Sequence, residues 1–192
     1  SVIVKAGHGG GPYFVDDEGN EFRACLDPEP EVTIESQGPM RTVITARGWY
    51  VNEAGQKKCR FIARIHAYAG KPYVRVFYTW LMTEDSRELR LRDIGFRLPM
   101  QAERCVFGLA NDQTQEAELD GTQPTFLLQY DCDRYLVQPE APELDEERAP
   151  GWFSVGGPAG QCAMAVKDLC QLFPKELEAT PEGAIFHVWP AH

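Results

Sequence analysis

Apolar and polar residues alternate with a period of two along most of this chain, the signature of half-buried β-strands. Glu31–Ser36 and Met40–Tyr50 carry the pattern on either side of the turn-like QGPM, and NEAG follows with residues that turns favour. Lys58–Tyr68 and Tyr73–Thr83 form the next pair, joined by AGKP, where Gly70 can take a positive φ and Pro72 is tolerable as the first residue of a strand. Leu91–Pro99 reads as another strand, closed by its proline. Shorter runs follow at Cys105–Leu109, Thr125–Tyr130, Tyr135–Gln138, Trp152–Val155, Cys162–Lys167 and Ala184–Trp189. Only DLCQLFPKEL predicts a helix: Asp168 suits the N-cap, Leu169, Leu172 and Phe173 share a face, and Pro174 ends it. Many strands with at most one or two short helices predict an all-β fold, a large antiparallel β-sandwich. The long strands between residues 40 and 99, with short connections, predict an antiparallel meander. The polar segments 111–124 and 138–150 read as loops. Residues 1–11, with the cluster Gly9–Gly11, read as a linker or incoming strand leading into a single sandwich domain over 1–192.

The alternation assigns faces. On Lys58–Tyr68 one face reads Lys58, Arg60, Ile62, Arg64, His66, Tyr68, and the other Cys59, Phe61, Ala63, Ile65, Ala67. Strand side chains alternate, so the second set is expected in the core and the first on the outer or concave side. On the next strand Tyr73 and Arg75 fall on the polar face if Val74 and Val76 join the core. Arg41 and Arg47 share one face of Met40–Tyr50, and Arg90, Arg92 and Arg97 follow in RLRDIGFRLP. Several guanidinium groups would thus stand beside a histidine and two tyrosines. Arginine pairs bidentately with carboxylates, and aromatic faces give flat surfaces for sugar rings. That combination suits an acidic polysaccharide and β-elimination from a uronic acid. There a cation neutralises the carboxylate, and a base such as tyrosine or histidine removes the acidified proton. The candidate catalytic residues are His66 and Tyr68, and the candidate substrate-binding residues are Arg64, Arg75 and Tyr73. A solvated sheet face gives the same pattern, with the arginines paired to Glu84, Asp85, Glu88 or Asp93.

Composition narrows the partners. The 192 residues carry a formal charge of −10, which repels nucleic acid and anionic membranes, and no stretch approaches the roughly 20 apolar residues of a membrane-spanning helix. The acidic total is also in tension with an acidic ligand, unless the arginines cluster locally. Cys25, Cys59, Cys105, Cys132, Cys162 and Cys170 show no CxxC or zinc-ligand spacing. Several lie in strand-like runs, where a free thiol packs as a small hydrophobe. Reduced, structural thiols would favour a cytoplasmic setting. No metal or cofactor is expected. The glycine-rich GHGGGPY has no following helix to make a phosphate cradle. DCDR at Asp131–Arg134, with Asp120, lacks calcium-loop spacing. The chain starts without Met and stops just after an apolar run, which reads as a piece of a longer protein.

Three stretches, ESQGPMRTVITARGWYV, RFIARIHAYAGKPYVRVFYTW and LRDIGFRLPM, closely resemble the central β-sandwich of the exo-rhamnogalacturonan-lyase-like (YetA-like) polysaccharide lyase family. The ending DLCQLFPKELEATPEGAIFHVWP is similar to the close of that domain, so the resemblance covers roughly Gly11 to the end. It implies a sandwich of the supersandwich type inside a three-part enzyme, preceded by a barrel-like domain and followed by a helical toroid. It also implies β-elimination from the end of the pectin backbone rhamnogalacturonan, with the neighbouring domains of the same chain as partners. Lyases of this build commonly form the site between toroid and sandwich, so this piece alone would be inactive. The nominated residues come from the strand reading and not from a family motif. A non-catalytic carbohydrate-binding sandwich, or one that only positions a toroid, stays open.

Overall fold

The computed structural model describes residues 9–139 and 148–191. It is all-β, with fifteen strands and two short 3-10 turns at Ala24–Leu26 and Ala110–Asp112. Two compact units divide the chain. Tyr13–Leu91 form one, and the described residues before and after that stretch form the other.

The Tyr13–Leu91 unit holds β1 (Gly11–Asp16), β2 (Glu21–Arg23), β3 (Glu31–Gln37), β4 (Arg41–Val51), β5 (Lys57–Tyr68) and β6 (Val74–Leu81). They run in the order β1-β2-β4-β5-β6, and β3 pairs with β4 as well. All these pairs are antiparallel. The core of this unit is aromatic. Phe14 and Phe22 stack at 4.7 Å, and Tyr50 and Trp80 meet Phe14 edge-on at 5.2 and 4.9 Å. The hairpin from β1 to β2 is tied at its turn by the buried Asp16. It accepts hydrogen bonds from the Asn20 backbone and side chain and pairs with Lys58 of β5 at 3.3 Å.

The other unit holds β7 (Leu91–Pro99), β8 (Arg104–Gly108), β9 (Thr114–Glu118), β10 (Phe126–Asp131), β11 (Arg134–Gln138), β12 (Trp152–Gly157), β13 (Gly160–Ala165), β14 (Lys175–Thr180) and β15 (Gly183–Trp189). One sheet runs β11-β10-β14-β15-β7 and a second runs β13-β12-β8-β9. Leu127, Tyr135, Val137, Leu177 and Ala179 from the first share a core with Cys105, Phe107, Phe153 and Val155 from the second. These two inner faces make a β-sandwich.

Several expectations change. The predicted helix at DLCQLFPKEL is a single turn, closed by the Leu172 amide on the Asp168 carbonyl at 3.1 Å, with Asp168 at φ 58°. Pro174 comes too early for a second helical turn, and Lys175–Thr180 instead pair with β10 and β15. The loop expected over 111–124 contains β9, an edge strand paired with β8; its inner face carries only Gln115 and Ala117. Of the loop expected over 138–150, residues 140–147 lie outside the described residues, as do 1–8 of the expected linker; Gly11 already opens β1. The meander expected to Pro99 ends at β6. The connection 82–90 is too long for a hairpin, and β7 pairs with β15. The apolar face of β5 is only partly core. Cys59 and Phe61 are buried beside the aromatic cluster, whereas Ala63, Ile65 and Ala67 are half-buried. On the same face Val74 and Val76 of β6 are 55% and 40% exposed, and Val32 and Ile34 of β3 are 60% and 63% exposed. The aromatic rings cover one end of this face and no described residue covers the other.

Candidate functional site

The registers of β4, β5 and β6 settle which side chains share the polar face. His66 stands opposite Val43 on one side and Arg75 on the other. Arg64 stands opposite Thr45 and Phe77, and Tyr68 opposite Arg41. Directly paired residues project to the same side, so Arg41, Arg47, Arg60, Arg64, His66, Tyr68 and Arg75 form one surface. Tyr73, just before β6, joins it: its ring lies 5.7 Å from that of Tyr68. The His66 ring lies 4.9 Å from Phe77, so the imidazole rests against a hydrocarbon face. All five nominated residues therefore lie on one side of one sheet. Arg90 precedes β7, and Arg92 and Arg97 on β7 belong to the other unit.

The arginines are not equivalent. Arg64 donates through Nε to Glu35 Oε2 at 2.8 Å, and the Thr45 hydroxyl donates to the same oxygen. The Thr45 hydrogen bond, then Arg64 and the nearby charge of Arg47, hold the Glu35 carboxyl below its ordinary range. Arg75 is exposed and has no ion-pair partner among the described residues. Three of the four acidic residues expected to pair with the arginines make contacts away from this face. Asp85 binds Arg87 at 2.7 Å, Glu84 lies against the Cys59 amide and the Thr83 hydroxyl, and Asp93 binds His187. Glu35 lies 29 residues before Arg64 along the chain, whereas the acids considered as partners all follow it. Thr33 pairs with Thr45, which faces Arg64, so Glu35, two residues on, falls on the arginine face, and the register shifts only beyond Ile34. A period-two count gives the face, but only the pairing of β3 with β4 brings Glu35 within reach of Arg64.

A second polar cluster lies in the other unit. His187 on β15 is buried between three carboxylates. Nδ1 is 2.9 Å from Asp93 Oδ1, and Nε2 is 2.9 Å from Glu178 Oε2 and 3.7 Å from Glu176 Oε1. Burial works against its charge. The hydrogen bonds to Asp93 and Glu178, with the charges of Asp93 and Glu176, overcome that and raise its pKa to about 9. The signal was present as Glu-Leu-Glu at 176–178, a period-two run with Leu177 buried, but reading DLCQLFPKEL as helical hid it. The exposed turn at Asp131 and Cys132 is held by the Cys132 amide on the Asp131 carboxylate at 2.7 Å, and Asp120 likewise caps the Thr122 amide. The six cysteines are all free thiols. Burial raises the pKa of Cys59 and Cys162 and pushes that of Cys105 up to about 11, so these three are packed thiols rather than nucleophiles.

The fold and this face define an all-β protein with an arginine-, histidine- and tyrosine-bearing sheet surface. Residues 27–106 match the family of the PcRGLX-like protein central beta sandwich domain. That matched segment contains all five nominated residues. The ending that resembled the same family lies outside the matched residues. No curated protein and no solved structure matches the chain.

Proposed function

We propose that the chain is the central sandwich of a multidomain enzyme that cleaves rhamnogalacturonan by β-elimination next to galacturonate, and that the polar face of β4–β6 meets the acidic sugar. The observation that carries this reading is the pairing of His66 with Arg75 across β5 and β6. It puts a titratable imidazole beside an exposed guanidinium that no carboxylate of the described residues occupies. In this role Arg75 holds the galacturonate carboxylate, with Arg64 behind it in its contact with Glu35. His66 or Tyr68 serves as base or leaving-group acid, and the paired rings of Tyr68 and Tyr73 give the sugar an apolar rest. Titrating the chain calorimetrically with rhamnogalacturonan oligomers tests the contact. Saturable heat that drops in Arg75→Ala supports it, and no heat at millimolar ligand removes it. In the full-length enzyme, formation of unsaturated product should fall in His66→Ala. An unchanged rate takes His66 out of the mechanism.

The opposite face of the same sheet favours a second reading, a platform for a neighbouring domain of the parent chain. Val32, Ile34, Val74 and Val76 leave one end of it apolar and exposed, and a sheet face of that kind is ordinarily covered. In that case oligomers do not bind the isolated chain, and substitutions on the apolar face loosen the full-length enzyme.

A further inference from the structure

The cluster at His187 combines the donor types and spacing of a transition-metal site. Glu176 and His187 are directly paired across β14 and β15, and Glu178 is two residues further along the same face of β14. On the other side of His187, β7 places Gly95 opposite it and Asp93 two residues away on the same face. Three donors, the imidazole and the carboxylates of Glu176 and Glu178, have ligand atoms within 4.8 Å of one another. A zinc ion bound at about 2.0–2.2 Å in tetrahedral geometry holds its ligands about 3.4 Å apart. The separations from Nε2, 2.9 Å to Glu178 and 3.7 Å to Glu176, bracket that value. More than an acidic patch is present here. The fourth group, Asp93, is on the far nitrogen, where a carboxylate fixes the ring and leaves Nε2 facing the other two acids, as the outer partner of a metal-bound histidine does. Two carboxylates also match the charge of a divalent ion, in a place where the side chains of Glu176 and His187 are 4% and 11% exposed. Glu178, at 32%, leaves one side open for entry and for a water ligand.

We propose that His187 Nε2, Glu176 and Glu178 bind a divalent transition metal of the zinc class, with Asp93 as the positioning residue. The ion takes the place between Nε2 and the two carboxylates, and any proton on Nε2 is released to solvent as the nitrogen becomes a ligand. The mixed nitrogen and oxygen set selects zinc or cobalt over magnesium and calcium, which take oxygen alone.

The test uses the whole chain after chelator treatment, titrated with Zn²⁺ by calorimetry and with Co²⁺ by visible absorption. One equivalent of Zn²⁺ should bind with micromolar or better affinity, and Co²⁺ should give visible bands of nitrogen and oxygen coordination. Binding should disappear in His187→Gln and weaken by about tenfold or more in Glu178→Gln. It should be unchanged in Cys132→Ser, which disables the exposed Asp131–Cys132–Asp133 group. Circular dichroism checks that each variant is folded. If the buried His187→Gln change unfolds the chain, the half-exposed Glu178→Gln change decides alone. Absence of saturable Zn²⁺ binding, binding unaltered by Glu178→Gln, or binding lost in Cys132→Ser each overturns the site.

Discussion

Arg64 and Arg75 look interchangeable along a strand, yet one residue separates their fates. Glu35, on the same face from the neighbouring strand β3, already holds Arg64 together with the Thr45 hydroxyl. A ligand carboxylate reaching Arg64 competes with a contact that is in place, whereas at Arg75 it meets a guanidinium with water around it. The two alanine variants should therefore differ. For an oligosaccharide carrying galacturonate, Arg75→Ala should lose the charge-assisted hydrogen bond, about 1.5–3 kcal/mol or roughly tenfold to a hundredfold in affinity. Arg64→Ala should change affinity by less, and Glu35→Gln, which weakens the grip on Arg64, should raise it. Calorimetric titration of the three variants with one oligomer settles the order. An Arg64→Ala loss larger than that of Arg75→Ala would mean that the Glu35 contact positions Arg64 for the ligand.

At the scale of elements, strands with an apolar alternate set were legible and those without one were not. β4, β5 and β6 follow the period of two almost to the residue, so the sharing of one face by Arg64, His66, Tyr68 and Arg75 could be read directly. β9 was invisible because Ala117 alone, beside Gln115, is too small an apolar set to reveal an edge strand. β14 was hidden because its apolar alternate set is only Leu177 and Ala179, directly behind the Pro174 that closes the expected helix. Alternation told which residues share a face but not whether anything covers that face, and this is why the burial of Val74 and Val76 could enter only as a condition. Two substitutions on that face measure the difference. Phe61→Ala, at the buried aromatic end, should cost about 3–5 kcal/mol in urea unfolding. Val76→Thr, at the open end, should stay within about 0.5 kcal/mol; a larger cost would show the open end to be packed. The β1–β2 hairpin carries a pH dependence of its own. Burial tends to raise the Asp16 carboxyl, but the Asn20 hydrogen bonds and Lys58 prevail and hold it below its ordinary value. A carboxylate lowered on folding adds stability at neutral pH. That contribution fades as the pH falls below about 4, and it is gone once the pH drops beneath the folded-state pKa. Asp16→Asn should lower stability at pH 7 and flatten the acid limb of the curve. A limb of unchanged steepness would assign acid unfolding to other carboxylates.

At the scale of the whole molecule, the question is how a chain of formal charge −10 could hold an acidic glycan. The distribution of charge matters more than its sum. On the polar face the registers gather Arg41, Arg47, Arg60, Arg64 and Arg75 against Glu31 and Glu35, so this surface is locally positive although the protein is not. The two fields act over different distances. At about 0.1 M salt charges are screened beyond roughly 10 Å, so a bound uronate feels mainly the arginines beneath it, while an approaching one feels the acidic remainder as well. Salt therefore separates the two contributions. If the local face governs binding, the affinity for galacturonate oligomers should fall steadily as ionic strength rises, because the contacts being screened are attractive. If the net charge governs, screening removes repulsion and affinity should rise instead. A falling series that becomes flat in Arg75→Ala would place the attraction on the β5–β6 pair. A rising series in the unaltered chain would remove the glycan from this face and leave the face as a scaffold.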